Sequence, residues 1–151
     1  MRRSTVLIIL LLSFYVTSAG CNKKAHTTND TNPPTGSTMK ITIGTSVFTA
    51  TLYDNPTAAA FKAMLPITIN MSELNGNEKF YYFSTTLPTD ASSGESIQNG
   101  DLMLYGNNCL VLFYESFNTS YSYTSLGKIN NVSGLTEALG TGDVTVKFEL
   151  E

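Results

Sequence analysis

Beyond Arg2 and Arg3 this chain of 151 residues has no arginine, its one histidine is His26, and it has no tryptophan. Charged side chains make up 14% of it, against about 25% in an average soluble protein. Each shortage excludes a class of function. The cations beyond Arg3 are seven lysines, scattered apart from the adjacent Lys23 and Lys24, and the net charge is -3. Nothing there clusters enough positive charge to neutralise a phosphate backbone, so nucleic acid is not a partner. A Ser-His or Cys-His nucleophile pair needs an imidazole, and residues 39–151 hold none. A metal centre would have only carboxylates and one thiol. Asp90, Glu95 and Asp101 come nearest to a calcium set, but no spaced acidic loop accompanies them. Gly140-Thr141-Gly142-Asp143 leads into a strand pattern instead of a helix start, so it reads as a turn and not a phosphate loop. No metal or cofactor is expected.

The N-terminus has what an export signal needs. Met1-Arg2-Arg3 is positive, residues 6–12 are an unbroken apolar run too short to span a bilayer, and Ser18-Ala19-Gly20 are small residues before Cys21. Small residues ending in Gly before Cys resemble a bacterial lipobox, although Ser18 stands where Leu is commonest. The expectation is a signal peptide over residues 1–20 and lipidation of Cys21, giving a protein anchored in the bacterial cell envelope outside the cytoplasm. An ordinary cleavage site, or a disulfide to Cys109, are the other readings of Cys21. A disulfide would tie a flexible leader to the core. Residues 22–38 contain Pro33-Pro34 and no large apolar side chain except Met39 just beyond them, so they read as a disordered tether. Without a disulfide, Cys109 is a free thiol in an apolar run and packs as a small hydrophobe.

From Met39 onward the apolar period is mainly two, which predicts a mostly β domain. Ile41 and Ile43 alternate with Lys40 and Thr42. Phe48, Ala50 and Leu52 alternate with Thr49, Thr51 and Tyr53, and Gly44-Thr45-Ser46 joins the two runs as a hairpin. Asn55-Pro56 is a helix start, and the helix runs over residues 57–65 until Pro66 stops it. Further strands are expected at 67–71, 79–86, 102–105, 109–115, 125–129 and 144–150, with a helical turn or two at 135–139. Residues 87–99 are expected as a long surface loop able to act as a lid. Many short strands with one or two short helices suggest a closed or nearly closed barrel of about eight strands, with the helices capping it.

A family resemblance lies in the order of the pieces. Phe48-Thr49-Ala50-Thr51-Leu52-Tyr53-Asp54-Asn55-Pro56-Thr57 followed by Ala60-Phe61 resembles the opening of a cyclophilin. Gly76-Asn77-Glu78, Tyr82-Phe83-Ser84-Thr85, Gly100-Asp101-Leu102, Leu112-Phe113 and Leu126-Gly127-Lys128-Ile129 follow as in small bacterial cyclophilin-like proteins. The resemblance covers nearly all of residues 39–151 and implies a cyclophilin-like β-barrel. Cyclophilins isomerise prolyl bonds with an arginine, a glutamine and a histidine beside an aromatic proline pocket. Here the segment matching Gln-Phe-Phe is Val111-Leu112-Phe113, and Tyr123 falls near the histidine position. The catalytic set is missing, so an enzyme is not expected.

What remains is aromatic. Phe80, Tyr81, Tyr82 and Phe83 form one strand, and a strand sends alternate members to opposite faces. Some must leave the core. Tyr82, Phe83, Tyr105, Phe113 and Tyr123, with Asn107 and Asn108, are the expected lining of an apolar groove with polar rims. It would bind a peptide, a protein partner or a small ligand. The competing expectations are tyrosines merely packed with wet hydroxyls, a degenerate or altered isomerase-like enzyme, and a structural envelope protein.

Overall fold

A computed structural model describes residues 33–93 and 96–151. The expected signal peptide, Cys21 and most of the tether therefore lie outside the described residues. Nine strands and two short helices run in the order β1 (Thr38–Ile43), β2 (Ser46–Leu52), α1 (Pro56–Lys62), β3 (Ile67–Leu74), β4 (Glu78–Tyr82), β5 (Ser92–Ser93), β6 (Asp101–Tyr105), β7 (Cys109–Phe113), β8 (Ser122–Ile129), α2 (Leu135–Leu139) and β9 (Val144–Leu150). The sheet order is β2-β1-β9-β3-β4-β7-β6-β8-β5, and pairing of β2 with β8 closes eight of these strands into an antiparallel barrel. Strand β5 is a two-residue addition on the outer edge of β8. The expected fold class, a closed barrel with two short helices, is the one found.

The alternation read from the sequence is what fills the barrel. Met39, Ile41 and Ile43 of β1, Phe48, Ala50 and Leu52 of β2, and Val146 and Phe148 of β9 are buried in one core cluster. Fully burying side chains of this size contributes about 1.5–3 kcal/mol each. Helix α1 closes one end: Phe61 is wholly buried and meets the Phe148 ring edge-on at 5.8 Å, with Phe83 at 6.3 Å. Asn55 caps that helix by accepting from the Ala58 N–H at 2.8 Å, and its Nδ2 donates to the Ser125 carbonyl at 2.8 Å. One side chain thus starts the helix and fastens it to β8. The helix ends at Lys62, earlier than Pro66 alone would require.

The seam between β2 and β8 is held by a glycine. A Cβ at Gly127 would lie 2.8 Å from the Thr51 carbonyl oxygen, and the register of β6 on β8 shifts just beside it. The other end of the barrel is tied by a buried cation. Lys79 is 0% exposed and donates to the carbonyls of Gly140 at 2.8 Å and Gly142 at 2.7 Å. It also pairs with Glu73, whose carboxylate accepts from the Tyr114 hydroxyl at 2.8 Å. The turn at 140–143, expected on composition, is therefore clamped onto β4.

Two regions differ from the sequence expectation. Gly36 and Ser37, assigned to the tether, dock on β2: the Gly36 N–H donates to the Leu52 carbonyl at 2.8 Å, and the Leu52 N–H to the Ser37 carbonyl at 3.0 Å. The described part of residues 87–99 is largely an exposed loop, as expected, but it is pinned at several points and not free to swing as a lid. The Thr57 hydroxyl donates to the Pro88 carbonyl at 2.7 Å, the Asp90 N–H to the Thr124 hydroxyl at 3.0 Å, and buried Ile97 bridges to Phe117. Hydroxyl bonds at Pro88 and Asp90 and a backbone bridge at Ile97 hold the stretch in place despite its turn-rich composition.

Candidate functional site

Strands β4 and β7 form the middle of one barrel wall, pairing Glu78 with Phe113, Phe80 with Val111 and Tyr82 with Cys109. Alternation sends Lys79 and Tyr81 to the interior with Leu110 and Leu112. It sends Glu78, Phe80 and Tyr82 to the outer face. There Cys109, Val111, Phe113, Tyr123 and Ile97 make a second buried cluster, with Phe80, Met103 and Phe117 packed against it.

This outer face is hollow. A cavity of about 300 Å³ is lined by Leu74, Asn75, Asn77, Glu78, Phe80, Tyr82, Tyr105, Cys109, Val111, Phe117, Thr119, Tyr121 and Tyr123. Its aromatic walls are braced against one another. Tyr105 meets Tyr121 edge-on at 5.9 Å and Tyr123 at 5.5 Å, while Phe80 meets Tyr82 at 5.7 Å. Phe113 supports the wall from beneath, edge-on to Tyr123 at 5.4 Å and to Phe117 at 5.6 Å. Tyr82 and Tyr121 are 59% and 60% exposed, so large ring faces stand in solvent at the mouth.

Of the residues singled out in the sequence, Tyr82, Tyr105 and Tyr123 line this cavity and Phe113 underlies it. Phe83 does not join them. It is buried in the barrel interior, edge-on to Tyr81 at 5.5 Å. Asn107 and Asn108 also stand elsewhere, in the β6–β7 turn. The Asn107 carbonyl accepts from the Leu87 N–H at 2.8 Å, and Asn108 accepts from the Phe83 N–H at 2.8 Å and donates through Nδ2 to the Phe83 carbonyl at 3.0 Å. They position the chain leaving β4. Sequence reasoning missed Asn77, Glu78, Cys109 and Tyr121. Alternation from Phe80 and Tyr82 would have found Glu78, had β4 been started one residue earlier.

Among the described residues, Glu78 is the one charged residue lining the cavity. It is 9% exposed, and no described residue donates to its carboxylate or pairs with it. Burial, then repulsion from Glu73, lifts its carboxyl above the ordinary carboxylate range. Burial likewise pushes the Cys109 thiol up, with Glu78 adding to it and hydrogen bonding with Tyr82 working the other way. A thiol held protonated is a poor nucleophile. Burial and the neighbouring Glu78 push Tyr123 up to about 12. Asn77 Oδ1 is buried with no hydrogen-bond partner. Among the described residues the site thus offers polar side chains and ring faces, and no cation.

Asp101, weighed above for calcium, is instead occupied by the Lys128 ammonium at 2.6 Å and the Gln98 N–H at 2.8 Å. Among the described residues no group of three His, Cys, Asp or Glu is placed to hold a metal ion, and no helix is long and apolar enough to cross a membrane.

Residues 41–149 match a sequence model of the cyclophilin-like family. Among solved structures, the solution structure of a hypothetical protein from Archaeoglobus fulgidus is similar, with a TM-score of 0.57 at 18% identity over 80% of this chain and 99% of that one. At that identity the likeness shows the fold alone. No curated protein matches the chain.

Proposed function

This chain belongs to the cyclophilin-like family, and from that premise we propose that it is a bacterial envelope lipoprotein whose barrel binds a ligand without turning it over. In this reading Cys21 carries the acyl chains and the barrel stands outside the cytoplasm. A peptide, a protein segment or a small molecule occupies the aromatic cavity. The observation that carries the binding role is the cavity's place. Val111, Phe113 and Tyr123, which the resemblance sets against the cyclophilin site, are on the cavity wall or directly beneath it. The described residues lining it include no guanidinium and no imidazole. A twisted prolyl amide would find ring faces there but no paired donors.

The second reading, an altered enzyme, is favoured by one specific observation, because a buried carboxyl with a raised pKa is a candidate acid-base group. A protease-coupled prolyl isomerisation assay on the processed full chain separates the two. The binding role predicts rates equal to those with an unrelated control protein, and acceleration lost on Glu78→Gln would establish the altered enzyme instead. Incorporation of labelled palmitate, lost on Cys21→Ala, tests the anchor.

A further inference from the structure

We propose that the cavity takes an organic cation, an alkylated ammonium group, which the tyrosine rings enclose and the Glu78 carboxylate neutralises. This rests on the binding role proposed above and names the chemistry of the occupant.

Three observations converge on it. Glu78 is nine-tenths buried on the cavity wall without a partner among the described residues. A carboxylate in that position gives up part of its hydration with no protein donor in return, and a bound cation is the group that would restore the balance. Asn77, on the same wall, has a buried Oδ1 that also lacks a donor. Both groups are acceptors, and of the two the Glu78 carboxylate is the one a ligand in the cavity meets, so the partner it lacks is a donor or a positive charge.

The rings supply the rest. Tyr82, Tyr105, Tyr121 and Tyr123 stand around the same volume, with Tyr105 turned 84° to Tyr121 at 5.9 Å and 50° to Tyr123 at 5.5 Å. Aromatic faces are the negative poles of their quadrupoles, and a methylated ammonium, weakly hydrated and apolar on its surface, is the cation they hold best. A volume of about 300 Å³ suits a small ligand or one side chain. The described lining has no cation to meet an anionic group, which argues against phosphates and amino-acid carboxylates. The ammonium could belong to a free small molecule or to a trimethylated lysine in a peptide, and the chemistry is shared.

The test is calorimetric titration of the processed full chain with choline, with N-acetyl-trimethyllysine amide, and with 3,3-dimethyl-1-butanol, which has the shape of choline and no charge. The expected result is binding of one or both cations at least about tenfold tighter than the neutral alcohol, with the stronger of the two identifying the source. Glu78→Gln should weaken the cation about tenfold or more and leave the alcohol unchanged, its fold checked by thermal melting. Tyr121→Ala, at an exposed position, should weaken the cation as well. Equal binding of cation and alcohol, or an unchanged affinity in a folded Glu78→Gln variant, overturns the inference and leaves the aromatic binding role standing. Binding of proline-containing peptides without either cation does the same. If none of these ligands binds, both readings fall.

Discussion

Glu78 and Lys79 are neighbours in sequence with opposite charges, yet they stand on opposite sides of the barrel wall. Lys79 is spent inside, on Glu73 and on the carbonyls of Gly140 and Gly142. Glu78 is left outside on the cavity wall with no described partner. The strand's alternation forbids the two from pairing. A cation sits where stability needs one, and an uncompensated anion where a ligand can reach it.

Lys79→Met would leave the Glu73 carboxylate and two turn carbonyls without their ammonium. Breaking a buried pair by removing one partner costs about 3–5 kcal/mol. Urea unfolding should show a loss of that order, and a loss under about 1 kcal/mol would mean that the clamp on the 140–143 turn is not structural.

Glu78→Gln should do the opposite to stability. The folded-state pKa lies above the ordinary value of 4.5, so the folded protein keeps a proton at pH values where the unfolded chain has lost it. That contribution is fully present below 4.5 and disappears as pH rises through the folded value. The variant should therefore melt higher than the parent at neutral pH, with the difference shrinking in acid. Melting curves between pH 4 and 8 check it, and a variant that is less stable throughout would contradict it.

Glu73 behaves in the reverse sense. Burial opposes its ionisation, but donation from Lys79, from the Tyr114 hydroxyl and from the Gly76 N–H outweighs this and holds its pKa below 4.5. Its stabilisation is present above the unfolded value and lost as pH falls through the folded one. In Glu73→Gln that acid-side loss should flatten, as read from the midpoint of acid unfolding.

Gly127→Ala should cost about 1–3 kcal/mol, the usual penalty for forcing atoms into a packed site. The obstruction is the Thr51 backbone oxygen, which cannot swing aside as a side chain would. A barrel that tolerates alanine there without loss would show that the β2–β8 seam is loose.

Cys109 should react slowly with iodoacetamide in the native protein and quickly in urea, because its thiol is buried and held protonated. Glu78 contributes to that, so Glu78→Gln should alkylate faster at the same pH.

The barrel was legible because its strands carry the period of two over whole segments: Ile41 with Ile43, and Val146 with Phe148, needed only the alternation rule. The cavity was half legible. Tyr82, Tyr105 and Tyr123 could be placed on one face by counting, but Phe83 looked like part of the same aromatic run and lies one residue out of phase, inside. Asn107 and Asn108 looked like a polar rim, and their backbone groups are used instead to hold the chain at Phe83 and Leu87. Glu78 was hidden by a strand boundary one residue late, since a carboxylate beside Asn75-Gly76 reads as turn. The pinning of Pro88 and Ile97 depends on partners far along the chain, Thr57 and Phe117, which no local pattern announces.

In the closed ring of eight strands β1 lies four places from β7 in either direction, diametrically across from the wall that bears the cavity. The polypeptide enters the domain at β1, beside Gly36. The chain leading into β1 therefore joins the barrel on the side opposite the cavity. The mouth looks away from that junction, on the far wall of the ring, where the entering chain does not crowd the approach to Tyr82 and Tyr121.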